Sequence, residues 1–221
     1  MLLVQCDFDD TITVGNVSTA IHELFGPDDW VQMEKEYHDG KFTVEESNIR
    51  QYGLIRATRQ DIEDFVVGEV VLRFAFDEFV DHCHGEGIKL VVVSSGLDLY
   101  IKPALETMGF EDLDVYSGSA QVTDEGIVVS YVDPDGQPIT QGFKESYLRH
   151  FQSQGNTVVY VGDGLSDQVA AKEADFVIAR SSLADYLEAN DVPHYTFETF
   201  SDVGKHVQEI MEMQGESRTQ S

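Results

Sequence analysis

Three short apolar runs constrain this chain more than anything else in it. Residues 1–8 (MLLVQCDF), 88–93 (IKLVVV) and 157–161 (TVVYV) are nearly unbroken apolar stretches, rich in β-branched side chains. A continuous rather than alternating pattern belongs to strands covered on both faces, as in parallel sheets. A fourth run, DFVIA at 175–179, has the same character. Helical patterns at 98–108 (closed by Gly109), 144–152 and 165–173 lie between or beside them. Strands alternating with helices predict an α/β fold, a Rossmann-like doubly wound parallel sheet. Residues 115–132 alternate in shorter stretches broken by glycine turns, which predicts a small antiparallel excursion.

Residues 18–79 carry little strand signal. Ile21, Leu24 and Phe25 share one helical face; Ile49, Tyr52 and Gly53 share another, with Leu54 and Ile55 beside them. Gly26-Pro27 and Asp39-Gly40 punctuate the stretch as turns. The pattern predicts a small helical cap inserted after the first strand. The expected division is a catalytic core at 1–14 and 81–214, a cap at 15–80 and a flexible polar tail at 215–221.

The charge balance narrows the partners. Asp and Glu number 41 against 14 Lys and Arg, a net charge of −27 over 221 residues. Such a chain repels nucleic acid and anionic membranes, so neither is expected as a partner. Self-repulsion of this size is best tolerated where salt screens it, which points to a halophilic setting. No apolar run reaches the roughly 18 residues of a membrane span, and the first residues do not read as a secretory signal. A cytoplasmic protein is expected, with Cys6 and Cys83 as free thiols. A homodimer stays open.

The strands end in polar groups: Asp7, Asp9 and Asp10 after the first, Ser94 and Ser95 after the second, Asp163 and Asp167 after the third. In an open parallel sheet ligands bind at that edge, so these residues converge although they lie far apart in sequence. Clustered carboxylates stay ionised most easily around a divalent cation, and oxygen-only ligation suits Mg²⁺. With the cation present, a phosphate ester can bind. One carboxylate then serves as nucleophile, a second as acid and base, and fixed donors stabilise the equatorial oxygens.

The motifs resemble the haloacid dehalogenase superfamily of phosphohydrolases. Asp7-Phe8-Asp9-Asp10-Thr11 matches its first motif, Ser94 its second, Lys144 its third, and Gly162-Asp163-Gly164-Leu165-Ser166-Asp167 its fourth. The resemblance implies Asp7 as nucleophile and Asp9 as general acid and base. It implies Mg²⁺ held by Asp7, Asp163 and the main-chain carbonyl of Asp9, with Asp167 supporting. Thr11, Ser94, Ser95, Gly96 and Lys144 would bind the phosphate. The expected activity is hydrolysis of a small phosphomonoester; the alternatives are phosphoserine phosphatase activity or transfer to an alcohol acceptor. Lys102 is the rival to Lys144, and Asp10 reads as a solvated turn residue.

The inserted helices look like the cap of the phosphoserine-phosphatase-like branch. Yet Asn16 stands about where those enzymes carry a glutamate for the substrate amine. Gln51, beside Arg50, stands near the position of their carboxylate-binding arginine. The chain is more similar to the methionine-salvage phosphatases. That similarity lies in Cys6-Asp7-Phe8-Asp9, in Ser94-Ser95-Gly96-Leu97-Asp98, and in the tail segment Pro193-His194-Tyr195 with Phe197-Glu198-Thr199-Phe200.

Overall fold

The computed structural model describes residues 1–219. The chain begins with β1 (Leu2–Cys6) and an irregular turn, then runs through α1 (Val17–Phe25), α2 (Trp30–His38), α3 (Val44–Tyr52), α4 (Arg59–Glu69) and α5 (Phe76–Glu86). There follow β2 (Lys89–Leu97), α6 (Asp98–Thr107), β3 (Asp114–Thr123), β4 (Gly126–Val132), β5 (Pro138–Ile139) and α7 (Phe143–Ser153). The last part is β6 (Thr157–Gly162), α8 (Gln168–Glu173), β7 (Phe176–Ala179), α9 (Ser181–Ala189), β8 (Tyr195–Thr196) and α10 (Phe200–Thr219).

The strands form one sheet in the order β5-β4-β3-β2-β1-β6-β7-β8. Six of them, β3 to β8 across that order, pair in parallel, and β4 and β5 add antiparallel ribbons at one edge. All five residues of β1 are buried, as the unbroken apolar run requires. The chain builds outward from β1 on one side through β2 and β3, then returns to its other side with β6. The reversal makes the β1/β6 boundary a topological switch point, where side chains at the strand ends open into a crevice. Gln5 is fully buried within β1, and its Nε2 donates to the Lys144 carbonyl at 3.0 Å, tying the start of α7 to the central strand.

The chain leaves the core and re-enters it through a narrow neck. Val14 N donates to Val71 O at 2.8 Å and Arg73 N to Ile12 O at 2.7 Å, around an isolated bridge between Thr13 and Leu72. The helices between, α1 to α4, are set by local signals. Asn16 caps α1 through Thr19 N, and Thr43 and Thr58 form capping boxes with Glu46 and Asp61 on α3 and α4. By contrast α5, whose first half lies inside the span expected for the cap, packs on the core. Its Phe76 and Phe79 meet the Phe200 ring at centroid distances of 4.9 and 5.4 Å. The tail segment 197–200 therefore has a packing role, docking α10 against α5. Helix α10 continues to Thr219, past the point where the ordered core was expected to end; positions 220–221 lie outside the described residues. Among the described residues no helix is long and apolar enough to cross a membrane. Cys6 and Cys83 are free and buried.

Candidate active site

At the switch point Lys144 joins two carboxylates. Its Nζ lies 2.9 Å from Asp7 Oδ1 and 2.5 Å from Asp167 Oδ1, and donates to Ser166 Oγ at 3.1 Å. All three charged groups are buried: Lys144 is 1% exposed, Asp7 4% and Asp167 0%. Asp167 is fully subscribed. Tyr160 also donates to its Oδ1 at 2.6 Å, while the main-chain N–H groups of Asp163 and Gly164 donate to Oδ2 at 3.0 and 2.9 Å. Burial alone would raise the Asp167 pKa, but Lys144 and these donors overcome it and hold the carboxyl below its usual range. Gly162 makes the arrangement possible, since a Cβ there would stand 2.7 Å from Asp167 Cγ.

Asp7 and Asp163 are in the opposite condition. Burial pushes Asp7 up to about 7 and Asp163 up to about 8, and neighbouring carboxylates add to both shifts while Lys144 opposes them. One oxygen each of Asp7, Asp163 and Asp167 can be found within 4.8 Å of one another. Because Asp167 has no oxygen to spare, Asp7 and Asp163 are the carboxylates able to bind a cation. A hard, oxygen-bound divalent ion fits this donor set and would relieve the repulsion that raises both groups.

Asp9 faces the cap. Its Oδ1 accepts from Val17 N at 2.8 Å and Ser18 N at 3.2 Å, at the N-terminus of α1, and its Oδ2 from the Tyr100 hydroxyl at 2.6 Å. Burial raises its pKa above the usual carboxylate value despite these donors. Tyr100 reaches Asp9 only because residue 96 is glycine: a Cβ there would overlap the Tyr100 hydroxyl and sit 2.9 Å from Asp9 Oδ2. The turn carrying Asp9 is held from behind. Asp10 adopts φ +57°, a left-handed conformation that Asp tolerates better than most residues. Its carbonyl accepts from Arg73 at 2.6 Å and Arg180 at 2.8 Å. Arg73 also donates to the carbonyls of Thr11 at 2.8 Å and Thr13 at 2.9 Å.

The polar end of β2 is tied to helix α3. Ser95 O accepts from the Asn48 amide at 2.7 Å and the Tyr131 hydroxyl at 2.5 Å. Glu45, also on α3, accepts from Phe143 N at 2.8 Å, beside Lys144. Helices α1 to α3 and the edge of the sheet together border a cavity of about 680 Å³, lined on the sheet side by Asp7, Asp9, Ser94, Ser95, Gly96, Lys144 and Asp163. Thr11 is different. It is fully buried, does not line the cavity, and spends its hydroxyl on Asp163 Oδ1 at 3.0 Å, so it joins the first and fourth motif loops. The rival Lys102 is exposed on α6, beside a separate groove. Asn16 spends its side-chain oxygen capping α1.

Sequence reading missed Tyr100, Tyr160, Arg73, Asn48 and Glu45. Tyr100, Arg73, Asn48 and Glu45 act on partners 47 to 98 residues away through a main-chain group or a hydroxyl, and no spacing marks such pairs; Tyr160, seven residues from Asp167 but inside a strand run, reads as plain core.

Comparison with known proteins agrees with this geometry. The profile of the haloacid dehalogenase-like hydrolases matches residues 4–172. A 2-hydroxy-3-keto-5-methylthiopentenyl-1-phosphate phosphatase of Brevibacillus brevis is 34% identical over 96% of this chain and 97% of its own. The like-named enzyme of Geobacillus thermodenitrificans is 31% identical over 95% and 96%. Among solved structures, a phospho-aspartyl intermediate analogue of phosphoserine phosphatase superposes with a TM-score of 0.69 at 19% identity, covering 93% of this chain and 98% of that one, a likeness of fold. The chain is a phosphatase belonging to the haloacid dehalogenase-like hydrolase family.

Proposed function

We propose that the chain hydrolyses a small phosphomonoester in two steps, through a phosphoryl group carried on Asp7. The observation that carries this reading is the position of Lys144, within 2.9 Å of Asp7 and 2.5 Å of Asp167. A lysine so placed holds the nucleophilic carboxylate in one orientation and faces the transferring oxygens with positive charge. Asp7 and Asp163, with the main-chain carbonyl of Asp9, would hold Mg²⁺. When bound, that ion supplies positive charge that lets a dianionic ester enter an acidic site.

In the first step an Asp7 oxygen bonds to phosphorus as the ester P–O bond breaks, and Asp9 gives its proton to the departing oxygen. In the second, Asp9 takes a proton from water, whose oxygen attacks the aspartyl phosphate; inorganic phosphate leaves and Asp7 is restored. The raised pKa of Asp9 suits the acid role. The Ser94 hydroxyl, whose oxygen accepts the Gly96 N–H at 3.0 Å, and the Ser95 N–H serve as donors to the phosphate oxygens.

For the leaving group we infer an uncharged one, of the kind named for the relatives, 2-hydroxy-3-keto-5-methylthiopentenyl-1-phosphate. Phosphoserine needs a cation for its carboxylate, and the cap offers none in the cavity. Gln51 donates to Glu34 at 2.9 Å and Ser47 at 2.8 Å; Arg50 lies over the Phe42 ring; Arg56 is bound to the carbonyls of Gly53 and Ile55. The net charge of −27 supports a cytosol of high salt as the working medium.

The test is phosphate release with Mg²⁺ in molar KCl from the methylthio enol-phosphate, phosphoserine, phosphocholine and an aryl phosphate. Activity lost to a chelator and absent in Asp7→Asn is the expected result, with kcat/KM highest for the enol-phosphate. Full activity in Asp7→Asn would overturn the nucleophile.

A further inference from the structure

One buried hydrogen-bonding atom on the cap side of the cavity is left without a partner. His22, on α1, is 1% exposed and lines the cavity. Its Nδ1 lies 2.7 Å from the Ser18 carbonyl. A carbonyl can only accept, so Nδ1 carries a proton. Burial lowers the pKa of the ring and favours the neutral form, which leaves Nε2 as a bare acceptor. Among the described residues no group donates to Nε2, and it is the only fully buried side-chain nitrogen or oxygen between positions 14 and 72 in that condition.

The ring is fixed. Tyr52 packs edge-on against it at 4.4 Å and Trp30 lies at 5.7 Å. Ser18, its Nδ1 acceptor, gives its own N–H to Asp9 and shares a 2.8 Å hydrogen bond with the Tyr52 hydroxyl. The imidazole is thus built into the same helix start that positions the proposed acid. The neighbouring polar groups are already satisfied: Gln51 by Glu34 and Ser47, and Glu34 by Gln51 and His38. The carboxylate beside the ring, Glu34, is already engaged by Gln51 and His38, and an ammonium would have to compete for it. A neutral O–H donor needs only the lone pair that Nε2 holds.

We propose that His22 Nε2 accepts a hydrogen bond from a hydroxyl on the leaving group, making His22 a specificity-determining residue for a hydroxylated, uncharged phosphomonoester. The proposal rests on the function proposed above and adds to it the group that reads the substrate. A buried acceptor left unpaired costs enough to reject an analogue lacking the hydroxyl.

The test compares two substrates, the methylthio enol-phosphate with its 2-hydroxyl and n-propyl phosphate without any, in native protein, His22→Phe and His22→Gln. His22→Phe keeps a ring but loses the acceptor together with the Nδ1 contact to Ser18 O, so kcat/KM for the hydroxylated ester should fall about tenfold or more beyond whatever fall n-propyl phosphate shows. His22→Gln, which restores an acceptor oxygen, should recover part of the loss. An equal fall on both substrates, or none on either, overturns the proposal. A second readout needs no turnover: the ¹⁵N signals of His22 while 2,3-dihydroxypropylphosphonate or propylphosphonate is added. An upfield move of the Nε2 signal with the first and not the second is expected. Identical responses, or none, overturn the assignment. Failure of the native protein to hydrolyse any ester would instead count against the catalytic reading, with the ¹⁵N result still deciding His22.

Discussion

Asn48 of helix α3 donates its side-chain amide to the carbonyl of Ser95 at 2.7 Å, and so joins that helix to the loop after Ser94. The same amide reaches the Tyr131 hydroxyl at 2.8 Å, and that hydroxyl in turn donates to Ser95 O. Two donors, one from α3 and one from β4, thus meet on one carbonyl. The position of helix α3 and the shape of the loop after β2 are coupled through this carbonyl.

Asn48→Ala breaks that coupling while leaving Tyr131 on Ser95 O. Loss of its two part-buried hydrogen bonds, to Ser95 O and the Tyr131 hydroxyl, should cost about 1–3 kcal/mol of stability, a fall of several degrees in Tm. Turnover should fall too, about tenfold in kcat/KM, because a misplaced cap also misplaces the phosphate donors. Steady-state kinetics beside a thermal melt separates the two. A variant that loses stability but keeps kcat/KM would show that the phosphate loop holds its shape without the cap.

Lys144 offers a sharper contrast. Removing it in Lys144→Met leaves Asp7 and Asp167 buried without their cation, and should destabilise the fold by about 3–5 kcal/mol as well as abolish activity. Adding Asp167→Asn to that variant removes one orphaned charge and should restore much of the stability and none of the activity. Asp7→Asn alone should be inert yet at least as stable as the native protein. Urea unfolding of the set checks all three, and additive losses in the double variant would refute the charge account.

Much of this site is legible before any coordinates, and the reason is physical. Asp7, Ser94 and Asp163 follow apolar runs long enough to be recognised as buried strands, and parallel strands deliver their C-terminal residues to one edge. Lys144 is found at the start of a helix pattern. What escapes is everything decided by packing alone. Helix α5 has the same period as the cap helices, and nothing in that period says which body it covers. Strand β8 has two residues and no alternation to read. Helix α9 opens at Ser181 with φ +49° and without a side-chain cap. Arg73 looks like any surface arginine until the neck brings it against the carbonyls of Thr11 and Thr13, some sixty residues back.

Asp163 makes the metal-free protein sensitive to pH in a definite direction. Its carboxyl is raised in the folded state to about 8, against about 3.9 in an unfolded chain. Between those values the folded state holds a proton that the unfolded state has lost, so stability falls as pH rises through this window and the penalty is complete only above about 8. Asp7, raised to about 7, acts in the same sense. Without divalent cations, Asp163→Asn should therefore stabilise the protein at pH 8 and lose that advantage near pH 4. Mg²⁺ should raise the Tm of the native protein more at pH 8 than at pH 5, and barely raise that of Asp163→Asn. Melts across pH with and without MgCl₂ decide it; a Mg²⁺ effect independent of pH would mean that these carboxylates do not share the ion.

Salt should act on the whole molecule. The chain carries 41 acidic and 14 basic residues, and two of those cations, Lys144 and Arg73, are buried at the site and its neck. The exposed ion pairs, such as Lys89 with Asp114 at 2.9 Å and Arg149 with Glu173 at 2.6 Å, are each worth at most about 1 kcal/mol and cannot offset the excess. Repulsion among the remaining carboxylates acts over a Debye length of about 30 Å at 0.01 M salt, comparable with the molecule itself, and over about 3 Å at 1 M. Tm should therefore climb steeply between 0.01 and 1 M KCl, then more slowly. Replacing five or six exposed acidic residues by Gln, away from the neck and the cavity, should raise Tm at low salt and flatten the curve. A Tm that is flat across the salt range in the native protein would mean that the surface charge is not under strain, and the high-salt reading of the composition would fall with it.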